Sequence, residues 1–184
     1  MANPFKKVTL PNGLRVLLVP RKESLAASVV ILVTAGSEYE KKPQNGISHF
    51  LEHMTFKGTT RRPRVGAIAE ELAGLGAQSN AFTGQEYTGY WAKAEARKLP
   101  QILDIVSDLY LNPLFDPAEI EKERGVIIEE INMYDDMPKA KVQEDLAATS
   151  LRGGASRERK RPFESLRRKI FWDIARRGMC RRER

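Results

Sequence analysis

Both histidines of this 184-residue chain fall within the five residues His49-Phe50-Leu51-Glu52-His53. On a helix, residues four apart lie one turn apart on the same face, where two imidazoles can ligate one ion. Glu52 stands beside His53 and close to that face, within reach of a water polarised by the ion. A catalytic zinc needs three protein ligands and an open position. No other histidine is available, and the single cysteine, Cys180, lies far along the chain. The third ligand is therefore expected to be a carboxylate.

An acidic stretch from Glu119 to Asp136 supplies the candidates. Its apolar residues Ile120, Val126, Ile127, Ile128 and Ile131 mark a buried side. Glu123 and Glu130 are seven apart, two helical turns, and share one stripe. Glu129 is rotated from Glu130 by about 100°. From spacing alone, one member of the Glu123/Glu130 stripe completes the metal set and the other supports it. The competing reading is a solvated acidic helix beside an accidental histidine pair.

These residues need a scaffold, and the chain offers one. Residues 7–10 and 14–20 read as two strands around an Asn12-Gly13 turn. The apolar run over 27–36 is too continuous for a half-exposed strand and reads as a central strand buried on both faces. The histidine segment follows Gly46 and Ser48, with Gly58 as its stop. A helix is expected over 64–76, a strand pair over 78–94 turning near Gly84-Gln85, and a helix over 99–111. Asp116 and Pro117 then open a longer helix reaching to Met137, where Pro138 ends it. This order predicts an α+β fold: a two-layer sandwich of a mixed, mostly antiparallel sheet with helices on one face.

Composition narrows the classes. At 41% hydrophobic and 30% charged residues, the chain is ordinary for a globular protein, and it is long enough for one core. No apolar run approaches the roughly 20 residues that span a bilayer, so no membrane partner is expected. One cysteine excludes an internal disulfide and a cysteine zinc cage. The start lacks the apolar stretch of a secretory signal, which makes a cytoplasmic location the expectation. The net charge of +7 is uneven: residues 151–184 hold 13 Lys plus Arg against 4 Asp plus Glu, which leaves residues 1–150 at −2.

The motifs together resemble a known family. "HFLEHMTFKGT" is similar to the inverted zinc motif of the insulinase-like, pitrilysin-type metallopeptidases, which include the mitochondrial processing peptidases. "LPNGLRVLLVP" resembles the opening hairpin, "NAFTGQEYTGYWAKA" the strand pair, "LYLNPLF" the helix exit and "EIEKERGVIIEEI" the second acidic motif. They occur in the family's order across residues 7–138. The resemblance implies a zinc metalloendopeptidase with His49, His53 and Glu130 as zinc ligands, Glu123 as the supporting carboxylate and Glu52 as general base. It also implies an extended peptide or unfolded polypeptide as substrate, meeting Asn80 and Ala81 by strand addition. Family members carry a related second half, so a second half or partner subunit is expected; a catalytically inactive zinc-binding fragment or interaction subunit is the alternative.

From about Thr149 the likeness stops and the sequence turns arginine-rich. Residues 1–150 are taken as the zinc-site domain and 151–184 as a basic, non-family tail. A shifted reading frame accounts for such a tail: reread by one frame, the codons of Phe171, Trp172 and Asp173 give Leu and then Gly. A tail binding nucleic acid is the weaker reading.

Overall fold

Alternating apolar residues give the larger sheet of this chain one face that, among the described residues, packs against helices and one that does not. A computed structural model describes residues 5–139, 141, 142 and 146. The tail over 151–184 and the boundary drawn at 150 lie outside the described residues. Strands β1 (Lys6–Thr9) and β2 (Arg15–Leu18) form an antiparallel hairpin with Val8 opposite Val16. Asn12 shapes the turn, its Oδ1 accepting from the Leu14 N–H at 3.1 Å.

A second sheet holds β3 (Ala26–Val33), β4 (Gln78–Thr83) and β5 (Thr88–Glu95) in the order β3-β5-β4. Every strand pairing among the described residues is antiparallel. Helices α2 (Ala67–Gly74) and α3 (Leu99–Leu111) cover one face. Val29, Ile31 and Val33 of β3, Ala81 of β4, and Tyr90, Ala92 and Ala94 of β5 meet Ile68, Leu72, Ile102, Ile105, Val106 and Leu109 there. The result is a two-layer α+β arrangement, as the order of elements implies.

The expectation of a central strand over 27–36 is corrected. Among the described residues the centre of the sheet is β5, and β3 lies at an edge. Its burial alternates, with Val30 54% and Leu32 63% exposed. An unbroken apolar run signals two covered faces, but among the described residues helices pack on only one. Element ends also shift slightly: the helix expected over 64–76 occupies Ala67–Gly74.

A second apolar cluster joins α1 (Ile47–Thr55) to α4 (Pro117–Asp135). Ile47, Phe50 and Met54 pack against Phe115, Ile120 and Ile127. Met54 and Ile127 are fully buried, and truncating either to alanine costs roughly 2–5 kcal/mol. Packing of this strength fixes the separation of the two helices before any polar contact is made. No helix among the described residues is long and apolar enough to cross a membrane.

Candidate metal centre

The helix carrying both histidines is held at each end by groups distant in sequence. It begins after Gly46, whose φ of 89° is a left-handed conformation that glycine adopts without a Cβ penalty. The Glu40 carboxylate meets the open first turn: its Oε2 accepts from the Gly46 N–H at 2.6 Å and its Oε1 from the Ser48 N–H at 2.8 Å. A negative charge there also suits the positive end of the helix dipole.

Beyond the other end, the chain is sewn to α3 and to the segment after it. Thr60 N–H donates to Asn112 O at 3.0 Å, and Leu114 N–H donates to Gly58 O at 3.0 Å. The buried Asp108 gathers Thr59 Oγ1–H at 2.7 Å, an Arg62 Nη1–H at 2.6 Å and an Asn112 Nδ2–H at 2.8 Å. Burial raises the pKa of Asp108, but these donors outweigh it and hold the carboxyl below its usual range.

Helix α4 starts as its sequence signals. Asp116 caps it by accepting from the Ala118 N–H at 2.7 Å, with Pro117 in the first turn. Ile120, Glu123, Ile127 and Glu130 recur every three or four residues, so the face that packs on α1 also carries the two carboxylates. Glu129 is exposed, off that face.

His49, His53 and Glu130 each offer one ligand atom, and the three atoms lie within 4.8 Å of one another. The two Nε2 atoms are 3.0 Å apart. Glu130 Oε2 is 3.5 Å from Nε2 of His53 and 3.8 Å from Nε2 of His49. Ligand atoms about 2.0–2.2 Å from a tetrahedral ion stand roughly 3.3–3.6 Å apart. The trio is close to that spacing, and two imidazoles with a carboxylate suit zinc. All three side chains keep some exposure, between 22% and 34%, which leaves a side open.

Glu123 takes the other nitrogen of His53, with Oε1 2.9 Å from Nδ1, and its Oε2 lies 2.5 Å from Lys57 Nζ. Its side chain is 5% exposed. Burial pushes its pKa up, yet the bonds from Lys57 and His53 prevail and keep it below the usual carboxylate range. Glu52 is held from the sheet: its Oε2 accepts from Thr83 Oγ1–H at 2.5 Å, at the end of β4. Tyr90 lies nearby on β5, its phenol pushed up first by burial and then by the Glu52 charge.

Asn80 and Ala81 lie on β4, opposite Trp91 and Tyr90 of β5. Gly84 N–H donates to Tyr87 O at 2.9 Å, so alternation makes Phe82–Gly89 and Asn80–Trp91 the hydrogen-bonded pairs. Ala81 then turns its N–H and C=O away from β5, and Asn80 Oδ1 accepts from that N–H at 2.9 Å. Residue spacing pointed to none of Glu40, Lys57 or Thr83. A signal existed only for Lys57, which stands four residues after His53.

Comparison with known proteins bears on this geometry. The family described as Insulinase (Peptidase family M16) matches residues 15–162, most of the chain. This chain belongs to that family. It is 40% identical over 134 residues to the uncharacterized zinc protease YmxG of Bacillus subtilis, covering 73% of this chain and 32% of that relative. To the mitochondrial-processing peptidase subunit beta of Caenorhabditis elegans it is 48% identical over 123 residues, covering 67% of this chain and 26% of the relative. A solved protease from Helicobacter pylori superposes with a TM-score of 0.71 at 30% identity, over 74% of this chain and 33% of that one. Pitrilysin superposes with a TM-score of 0.64 at 30% identity, over 70% of this chain and 14% of its own. The chain thus spans about a third or less of the length of these family relatives. The family match runs past the boundary at 150, to residue 162.

Proposed function

We propose that this chain carries the zinc site of a metalloendopeptidase, with His49, His53 and Glu130 as ligands and Glu52 as general base. The observation that carries the reading is the meeting of two imidazoles and one carboxylate between α1 and α4, with one side open. When bound there, zinc supplies Lewis acidity and eases deprotonation of water toward neutral pH.

The chain's own residues divide the remaining work. Glu123 holds the Nδ1 side of His53, which leaves Nε2 facing Glu130 and His49. Glu52 accepts the proton of the attacking water and passes it to the leaving amine. Thr83 fixes the Glu52 carboxylate while leaving its Oε1 free of that bond. The outward N–H and C=O of Ala81 on β4 suit an extended peptide that adds as a strand, and Asn80 withdraws its Oδ1 to admit it. A peptide or unfolded polypeptide is the corresponding substrate. Relatives named as a peptidase subunit and as a protease of about three times the length fit a requirement for a second related half or a partner subunit. The proposed location is cytoplasmic.

The test pairs zinc content with cleavage of an unstructured peptide. Wild type and Glu52→Gln both hold about one zinc per chain, His53→Ala holds none, and no cleavage accompanies Glu52→Gln. Zinc retained by His53→Ala overturns the site, and cleavage by zinc-loaded Glu52→Gln removes Glu52 as base.

A further inference from the structure

We infer that Lys57 is a positioning residue of the metal centre, acting on His53 through Glu123. The inference rests on the zinc-site reading above and adds a residue to it. His49, His53 and Lys57 follow at intervals of four, so one stripe of α1 and its last turn presents two imidazoles and then an ammonium. The facing stripe of α4 presents Glu130 and, two turns earlier, Glu123. The stripes run antiparallel: Glu130 meets the two imidazoles, while Glu123 sits between His53 and Lys57.

The geometry of that second contact is specific. Glu123 uses one oxygen for each neighbour, Oε1 2.9 Å from His53 Nδ1 and Oε2 2.5 Å from Lys57 Nζ. A carboxylate with 5% exposure has little water to orient or neutralise it. Removing the ammonium leaves a buried anion with one partner, and such an anion turns toward solvent. That turn loosens the grip on Nδ1, and with it the direction in which Nε2 points. Lys57 itself is anchored: its N–H donates to Met54 O at 3.1 Å, and its side chain is 26% exposed.

Carboxylate partners of ligand histidines are worth about 10–100-fold in metal affinity. Lys57 acts one contact further out, so roughly tenfold is expected. The experiment uses the full chain, stripped of metal, with zinc affinity measured by competition against a chelating dye. Lys57→Met weakens binding roughly tenfold and Lys57→Arg restores most of it. In the Glu123→Gln background, where no buried charge remains to be held, adding Lys57→Met changes zinc affinity no further. That double variant also carries no unpaired carboxylate, so it decides the matter even where Lys57→Met alone folds poorly.

Two failures are distinguishable. If His53→Ala binds zinc as wild type does, the site reading itself is wrong. If His53→Ala loses zinc while Lys57→Met keeps wild-type affinity, or if Lys57→Met and Glu123→Gln lose affinity independently, only the role of Lys57 falls.

Discussion

Replacing Asp108 tests how the chain beyond the histidine-bearing helix is fixed. Its side chain has no exposed surface and accepts from Thr59, Arg62 and Asn112. Asp108→Asn keeps the shape, and an Asn112 amide flip can keep all three bonds, so the loss is mainly that of charge. A hydrogen bond to a charged group contributes about 1.5–3 kcal/mol against about 0.5–1.5 for a neutral one. Part of the Arg62 charge remains matched by Glu71 and Asp104, which places Asp108→Asn near 2 kcal/mol. Asp108→Ala leaves Thr59, Asn112 and Arg62 without this partner and costs roughly 3–5 kcal/mol.

The sign with pH follows from the lowered pKa of Asp108 in the fold. Its contribution is complete above the unfolded value of about 3.9 and is lost as pH falls through the folded value. Urea unfolding at pH 7 should therefore separate wild type from Asp108→Asn by about 2 kcal/mol, or roughly 4–8 °C in Tm. The gap should close in strong acid, where both side chains are neutral. Equal stability at pH 7, or a gap unchanged below pH 3, would refute the reasoning.

Other substitutions probe other joints of the scaffold. Glu40→Ala frees the Gly46 and Ser48 N–H groups and should cost about 1–2 kcal/mol in urea unfolding, as the loss of a helix cap does; an unchanged midpoint would remove its capping role. A Cβ on Gly89 would stand 2.3 Å from Phe82 Cζ, so Gly89→Ala should cost about 1 kcal/mol. That cost should vanish in a Phe82→Ala background, and its persistence there would place the strain elsewhere.

Much of the site was legible because it is periodic. The interval from His49 to His53, the Glu123–Glu130 stripe and the Asp116-Pro117 start are local facts of helix geometry, and each occupies its expected place. Spacing left Glu123 and Glu130 interchangeable; their separation depends on how two helices pack, which Ile120, Ile127, Phe50 and Met54 determine. Glu40 and Thr83 reach the site from a turn and a strand end, and no period links them to it. The edge position of β3 was hidden for a related reason: apolar Val30 and Leu32 say what a face tolerates, while coverage depends on the helices beside it. The two groups behind His53, Glu123 and Lys57, divide along the same line. Glu123 is marked by its stripe, whereas the four-residue step from His53 to Lys57 gains a meaning only once α4 lies against α1.

The central claim is met most directly by X-ray absorption at the zinc edge of the metal-loaded chain, with Glu130→Gln and Glu129→Gln beside it. The account predicts one zinc, two imidazole nitrogens at about 2.0–2.1 Å and a carboxylate oxygen at about 2.0–2.2 Å. Glu130→Gln should lose the metal or its oxygen shell, and Glu129→Gln should match wild type. A spectrum with fewer than two imidazoles, or one altered by Glu129→Gln and untouched by Glu130→Gln, would contradict it.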